Sequence, residues 1–155
     1  MSKSINQSHL NVSGCILLRA CGWKKKHKKM QFCQGIDLVK IDRVRRIYKK
    51  FSHKFLSKVF SEREIYQIKK SENNQITKIA GKFSCKEAAS KAIGKGISGG
   101  ITFKDFEIIN DKYGKPILYI NGEARKKIKD LISSNISISH DGEYLVSIVT
   151  LILRN

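Results

Sequence analysis

Apolar residues at Ile76, Ile79, Ala80 and Phe83 recur at three- and four-residue spacing, which predicts one face of an α-helix. Along the same line Glu87 follows Phe83 by four residues, and Lys91 follows Glu87 by four. A carboxylate and an ammonium therefore end an otherwise apolar stripe. Gly94 and Gly96 stop the helix, and Gly99 and Gly100 keep the next turn loose. Taken alone, Glu87 and Lys91 read as a solvated surface pair worth roughly 0.2–0.5 kcal/mol.

The pattern on either side predicts the remaining elements. Phe32–Val39 is strand-like, with Gly35 allowing close backbone approach and Asp37 set among apolar neighbours. Asp42 can cap a helix running to about Phe51, with Val44, Ile47, Tyr48 and Phe51 on its inner face. A second short helix holds Phe55, Leu56, Val59 and Phe60. Ser61 and Glu64 form a capping box for a third, which ends by Lys70. Beyond the long helix, Thr102–Ile109 and Lys115–Ile120 read as a β-hairpin turning at Asn110–Gly114. A helix from Asn121 or Gly122 to about Leu131 follows, then strands at Ile136–His140 and Glu143–Leu153. This order predicts an α+β fold, an antiparallel sheet with the long helix and shorter helices on one face.

The chain of 155 residues is long enough to bury a core, and 41% of its residues are hydrophobic. Its formal net charge is +18; seven of those charges lie within residues 1–30, which contain no acid, leaving +11 for residues 31–155. Residues 1–30 read as a basic, disordered extension without a catalytic role. An organelle transit peptide and a true start at Met30 are the other readings. Residues 31–155 are the folded domain. So basic a domain implies an acidic partner or a phosphorylated ligand. Cys15, Cys21, Cys33 and Cys85 show neither CxxC nor His/Cys metal spacing, and read as free thiols in a reducing compartment.

Chemistry concentrates at Asp37, Glu87 and His140. Two carboxylates without His or Cys ligands suit a hard cation such as Mg²⁺, which takes one or two carboxylates and fills its shell with waters and substrate phosphates. Lys91, one turn past Glu87, can neutralise a phosphate, and the Gly94–Gly100 loop can admit a polyphosphate to the backbone. Each residue also has a plainer reading: Asp37 as a strand terminator, His140 as an exposed strand end.

In order and spacing, GIDLVKIDRV, GKFSCKEAASKAIGKG and SISH, with the hairpin DKYGKP, resemble the holo-acyl-carrier-protein synthases. These are small 4′-phosphopantetheinyl transferases, and the resemblance covers residues 32–155. It implies transfer of the phosphopantetheine arm of coenzyme A to a serine of apo acyl carrier protein, releasing adenosine 3′,5′-bisphosphate, for fatty acid biosynthesis. It further implies that Asp37 and Glu87 bind Mg²⁺ with the coenzyme A pyrophosphate, and that Lys91 contacts a phosphate. His140 would lie near the nucleotide 3′-phosphate, and Arg43 would meet the acidic carrier protein. The resemblance implies a homotrimer with sites between subunits, so that Asp37 and Glu87 need not share a site within one chain. Cys85, where the family favours a small residue, and Gln34-Gly35-Ile36 depart from the pattern without touching a proposed ligand.

The attacking serine needs a base, either Glu87 or a metal-bound water. Arg45, Arg46, Lys49 and Lys50 accompany Arg43 on one helix, and opposite charge would steer an acidic protein to it. A bacterial-type cytoplasmic enzyme is expected, organellar if residues 1–30 act as a transit peptide, with no nucleic-acid or membrane partner. The alternative class is a basic nucleic-acid-binding module without catalytic activity, although no RNP aromatic set, zinc spacing or KH-type loop is present.

Overall fold

In this computed structural model the chain is described at residues 29–71, 73–128 and 130–154. The extension expected at residues 1–30 lies, up to residue 28, outside the described residues. Strand β1 (Met30–Lys40) passes directly into helix α1 (Ile41–Val59), followed by α2 (Glu62–Lys69) and the long α3 (Gln75–Ala92). A 3₁₀ turn at Phe103–Asp105 leads into the hairpin β2 (Phe106–Asn110) and β3 (Pro116–Ile120). Helix α4 (Gly122–Lys127) precedes β4 (Leu131–Asp141) and β5 (Tyr144–Arg154).

The α+β class holds, but the strands form two sheets. One is three-stranded in the order β1-β5-β4, and the other is the β2-β3 hairpin. Strand β5 pairs antiparallel with β1 from Met30 opposite Arg154 to Lys40 opposite Tyr144, with no slip. It pairs with β4 on its other side, through one irregularity between Leu131 and Ser133. Alternation then decides what each face carries. Leu145, Ser147, Val149 and Leu151 point inward and are buried. The opposite face leaves Phe32, Ile36, Leu38 and Ile148 exposed, so β5 is buried on one side only.

Helix α3 fills the space between the two sheets. Its second half (Cys85, Ala88, Ala89, Ala92) packs among Phe106, Ile108, Leu118, Val149 and Leu151. Its first half (Ile79, Ala80) packs among Val44, Leu56, Phe60 and Leu145. The apolar stripe expected from Ile76 to Phe83 is thus only part of a helix buried on several sides, including at Lys82, Ser84, Lys86 and Ser90. Alanine and glycine allow the fit. A side chain at Gly35 on β1 would place its Cβ 2.0 Å from the Ala88 carbonyl oxygen.

Several boundaries differ from the expected ones for local reasons. Lys40, not Asp42, is the N-cap of α1; Asp42 sits in the first turn and pairs with Arg45 at 3.0 Å. The two helices expected up to Phe51 and from Phe55 are one element with a kink at Ser52, whose φ is 34°. Phe51 falls at that kink and is exposed rather than on the inner face. Thr102 and Asp105 form a capping box that starts the 3₁₀ turn, which shortens the strand expected from Thr102. The capping box at Ser61 and Glu64 is present as expected.

Candidate active site

Asp37 lies on the inward face of β1, opposite Ser147 of β5. Its backbone is pinned from behind by Ser84 of α3, whose hydroxyl donates to the Asp37 carbonyl at 3.3 Å and lies 2.7 Å from the Ser147 hydroxyl. Ser84, Glu87 and Lys91 follow at i, i+3 and i+7, so they share one face of α3 over two turns. The same face that fixes the Asp37 backbone therefore presents a carboxylate and an ammonium to its side chain. Lys91 Nζ donates to Asp37 Oδ1 at 2.7 Å and to the Ile36 carbonyl at 3.1 Å. Lys91 binds Asp37 across the β1–α3 gap, and no ion pair joins it to Glu87 in the isolated-helix manner.

Glu87 is half-buried. Burial raises its pKa above the ordinary carboxylate value, the nearby Asp37 charge raises it further, and Lys91 and Arg43 oppose the shift. Asp37 and Glu87 thus interact within one chain. Arg43, exposed on the first turn of α1, contributes positive charge at the rim of the pair. Among the described residues no three Asp, Glu, His or Cys side chains gather into a metal cage. Two mutually repelling carboxylates do, however, form the donor set that a hard cation would neutralise, and they fit Mg²⁺ with its remaining positions left to water and phosphate.

His140 stands apart from this cluster. It pairs with Leu145, whereas Asp37 pairs with Ser147, and β5 separates their two strands. His140 lines a cavity of about 310 Å³ between the first half of α3, the hairpin and β4, with Thr77, Lys78, Lys82, Asn110 and Pro116 among the other lining residues. The three residues singled out together in the sequence therefore form two places, a carboxylate pair at the β1 edge and a cavity at the β4 edge.

On the other side of α3, the chemistry is absent from the sequence pattern. Lys86 is fully buried and donates to Glu64 Oε2 at 2.8 Å, to the Phe103 carbonyl at 3.0 Å and to the Phe106 carbonyl at 2.6 Å. Glu64 also accepts from the backbone of Ser61 and of Ile108. Burial lowers the pKa of Lys86, and Glu64 opposes that shift. One turn earlier, Lys82 donates to Gln67 Oε1, Asn110 Oδ1 and the Ile108 carbonyl. The only signal for this pair in the sequence is their four-residue spacing on a helix otherwise read as apolar.

Comparison with known proteins bears on the family and the fold. Residues 34–149 match the model of the 4′-phosphopantetheinyl transferase superfamily. A holo-acyl-carrier-protein synthase from Clostridium acetobutylicum is 42% identical over 119 residues, covering 76% of this chain and 94% of that protein. The crystal structure of such a synthase from Bacillus anthracis, in complex with CoA (3′,5′-ADP), superposes with a TM-score of 0.66 at 34% identity. That match covers 81% of this chain and 99% of the other. The Helicobacter pylori synthase, solved in complex with coenzyme A, gives a TM-score of 0.66 at 32% identity, covering 79% and 99%. Family model, identity and fold agree, and the chain belongs to the holo-acyl-carrier-protein synthase family of the 4′-phosphopantetheinyl transferase superfamily.

Proposed function

We propose that this protein transfers the 4′-phosphopantetheine group of coenzyme A to a serine hydroxyl of an apo acyl carrier protein, releasing adenosine 3′,5′-bisphosphate. The observation that carries the reading is the pairing of Asp37 and Glu87 beside Lys91 at the end of α3. Asp37 and Glu87 would hold Mg²⁺. Bound there, the ion supplies positive charge to the pyrophosphate as its bridging bond breaks.

This chain's own residues supply the rest. Lys91 already reaches the site and can transfer one of its hydrogen bonds from Asp37 to a phosphate oxygen. The serine oxygen attacks the phosphorus that carries the pantetheine arm. The bond from that phosphorus to the bridging oxygen breaks, and adenosine 3′,5′-bisphosphate leaves. The serine proton passes to a base in the site, Glu87 or a water beside it. His140 and the cavity beside it receive the nucleotide end of coenzyme A. Arg43, with Arg45, Arg46, Lys49 and Lys50 along α1, offers an acidic carrier protein a basic face that ends at Glu87.

The open face of the three-stranded sheet supports a homotrimer. Phe32, Ile36 and Leu38 are 64%, 57% and 65% exposed, on a face where Ile148 adds to one apolar surface. The carboxylate pair and the cavity lie at opposite edges of that sheet.

The test is mass spectrometry of apo acyl carrier protein incubated with this protein, coenzyme A and Mg²⁺. The expected result is a phosphopantetheine-sized gain on the serine that is lost with Asp37→Ala, Glu87→Ala and EDTA. No gain from well-folded protein would overturn the reading, and salt-dependent nucleic-acid binding that survives both substitutions would replace it.

A further inference from the structure

We propose that Lys82 is a positioning residue for coenzyme A, holding Asn110 and the base of the β2–β3 hairpin at the width the nucleotide cavity requires. The inference rests on the reading of that cavity given above. Lys82 lies on the cavity wall, yet its ammonium has no hydrogen to offer a ligand. Its three N–H groups meet Gln67 Oε1 at 3.0 Å, Asn110 Oδ1 at 3.1 Å and the Ile108 carbonyl. Those acceptors come from α2 and from Ile108 and Asn110 at the end of strand β2, so one atom of α3 ties three elements together.

The tie continues beyond Lys82. Gln67 accepts from the Asn110 backbone N–H at 3.0 Å and donates to the Asn110 carbonyl at 2.8 Å. Asn110 Nδ2 then crosses the turn to the Gly114 carbonyl at 2.8 Å. Every polar group of Asn110 is thereby committed, and its orientation depends on Lys82 and Gln67. Asn110 pairs with Pro116 as the last rung of the hairpin, and both line the cavity together with Ile138 and His140 of β4. The hairpin wall is set from α3 through this chain, while the β4 wall is set by the sheet.

An apolar side chain of similar length would fill the position without burying an ammonium. The charged groups facing Lys82 are Glu64 from α2 and Lys78 and Lys86 from α3, with the Cys85 thiol beside them. Glu64 favours the ammonium and Lys86 and Lys78 oppose it, but burial outweighs them all; every hydrogen bond the ammonium makes goes to an oriented neutral acceptor. What those acceptors gain in return is a fixed direction, and for Asn110 and Gln67 that direction shapes the cavity.

The test measures KM for coenzyme A and kcat in wild type, Lys82→Met, Asn110→Ala and the double variant, with folding checked by circular dichroism and thermal melting. The expected result for each single variant is a KM raised about tenfold, the scale of one lost charge-assisted hydrogen bond, with kcat within about twofold. The double variant is expected to be no worse than the worse single one, since both break the same chain. An unchanged KM in folded Lys82→Met, a fall in kcat alone, or effects that multiply would overturn the proposal. Should Lys82→Met fail to fold, an unchanged KM in Asn110→Ala would overturn it equally. If the wild type neither binds coenzyme A nor turns it over, the functional reading falls and this proposal with it; a normal wild type with unchanged variants removes this proposal alone.

Discussion

Lys91 Nζ lies 2.7 Å from Asp37 Oδ1, with Asp37 largely shielded and Lys91 half exposed. The carboxylate thus keeps a counter-ion on the protein itself, in the position a divalent cation would contest. Lys91→Ala is therefore expected to act in opposite directions on two measurements. Without coenzyme A, calorimetry should show Mg²⁺ binding a few-fold tighter, the scale of a partly exposed ion pair. With coenzyme A, kcat/KM should fall roughly a hundredfold, as when one transition-state donor is removed. Unchanged Mg²⁺ affinity would mean that the ammonium and the metal do not share Asp37.

The distance between β1 and α3 is set at Gly35. A Cβ there would sit 2.0 Å from the Ala88 carbonyl oxygen and 2.6 Å from the Ala92 nitrogen, both backbone atoms that no rotamer change can relieve. Asp37 is the next inward residue on β1, and Glu87 and Lys91 precede those two alanines. Gly35→Ala should destabilise the protein by about 3 kcal/mol or more, as severe overpacking does. By moving α3 outward it should also remove most of the transfer activity. Urea denaturation and the carrier-protein assay check both; a stable, active variant would show that the approach is dispensable.

The path from sequence to this site is uneven. Asp37, Glu87 and Lys91 stand out in the sequence because each breaks a local background, an acid within an apolar strand or a charge closing an apolar stripe, whereas Arg43 sits in a basic run and is singled out only by the family resemblance. The capping box at Ser61 was equally legible, because its three-residue spacing is its geometry. Glu64 was read only as part of that box, yet its second oxygen accepts from Ile108, 44 residues away in sequence. Lys82 and Lys86 were invisible for the same reason. Periodicity places a residue on a face but cannot say that α2 and β2 cover that face and supply its acceptors. The split into two sheets depends on the 3₁₀ turn at Phe103, and the separation of His140 from Asp37 depends on which strand lies at the centre.

The Glu64–Lys86 pair is fully enclosed, so its partners should behave as one unit. Lys86→Met leaves a buried carboxylate and Glu64→Gln leaves a buried ammonium, and each should cost about 3–5 kcal/mol. Lys86→Met combined with Glu64→Gln should cost clearly less than the sum, because neither uncompensated charge then remains. Denaturant melts of the four proteins measure the coupling, and strict additivity would contradict a direct pair.

Ser52 is a non-glycine residue at φ 34° in the middle of α1, exposed and with helix on both sides. Positive φ there strains an L-residue by about 1–3 kcal/mol. Ser52→Gly should therefore stabilise the protein by up to about 1 kcal/mol once glycine's greater unfolded-state freedom is subtracted. A thermal melt shows the sign directly, and a lower melting temperature would count against strain at the kink.

Two buried groups of α3 give the folding equilibrium a distinctive dependence on pH. Burial lowers the pKa of Lys82 from 10.5 to about 8. Between those values the unfolded chain holds a proton that the folded chain has released, so stability rises with pH, by about 1.4 kcal/mol per unit where the effect is complete. Lys86, also lowered by burial, adds to that rise. Burial raises the Cys85 thiol from 9.0 to about 12, so above pH 9 the folded chain keeps a proton the unfolded chain has lost, and stability falls. Stability should therefore climb from about pH 8 and climb less steeply above pH 9, where Cys85 opposes the two lysines. Urea denaturation of the reduced protein from pH 7.5 to 10.5 should show this shape. Lys82→Met should make the climb shallower, and Cys85→Ala should let it keep its slope past pH 9. Three parallel curves would mean that neither group titrates differently in the folded chain, and that their burial is less complete than their positions on α3 require.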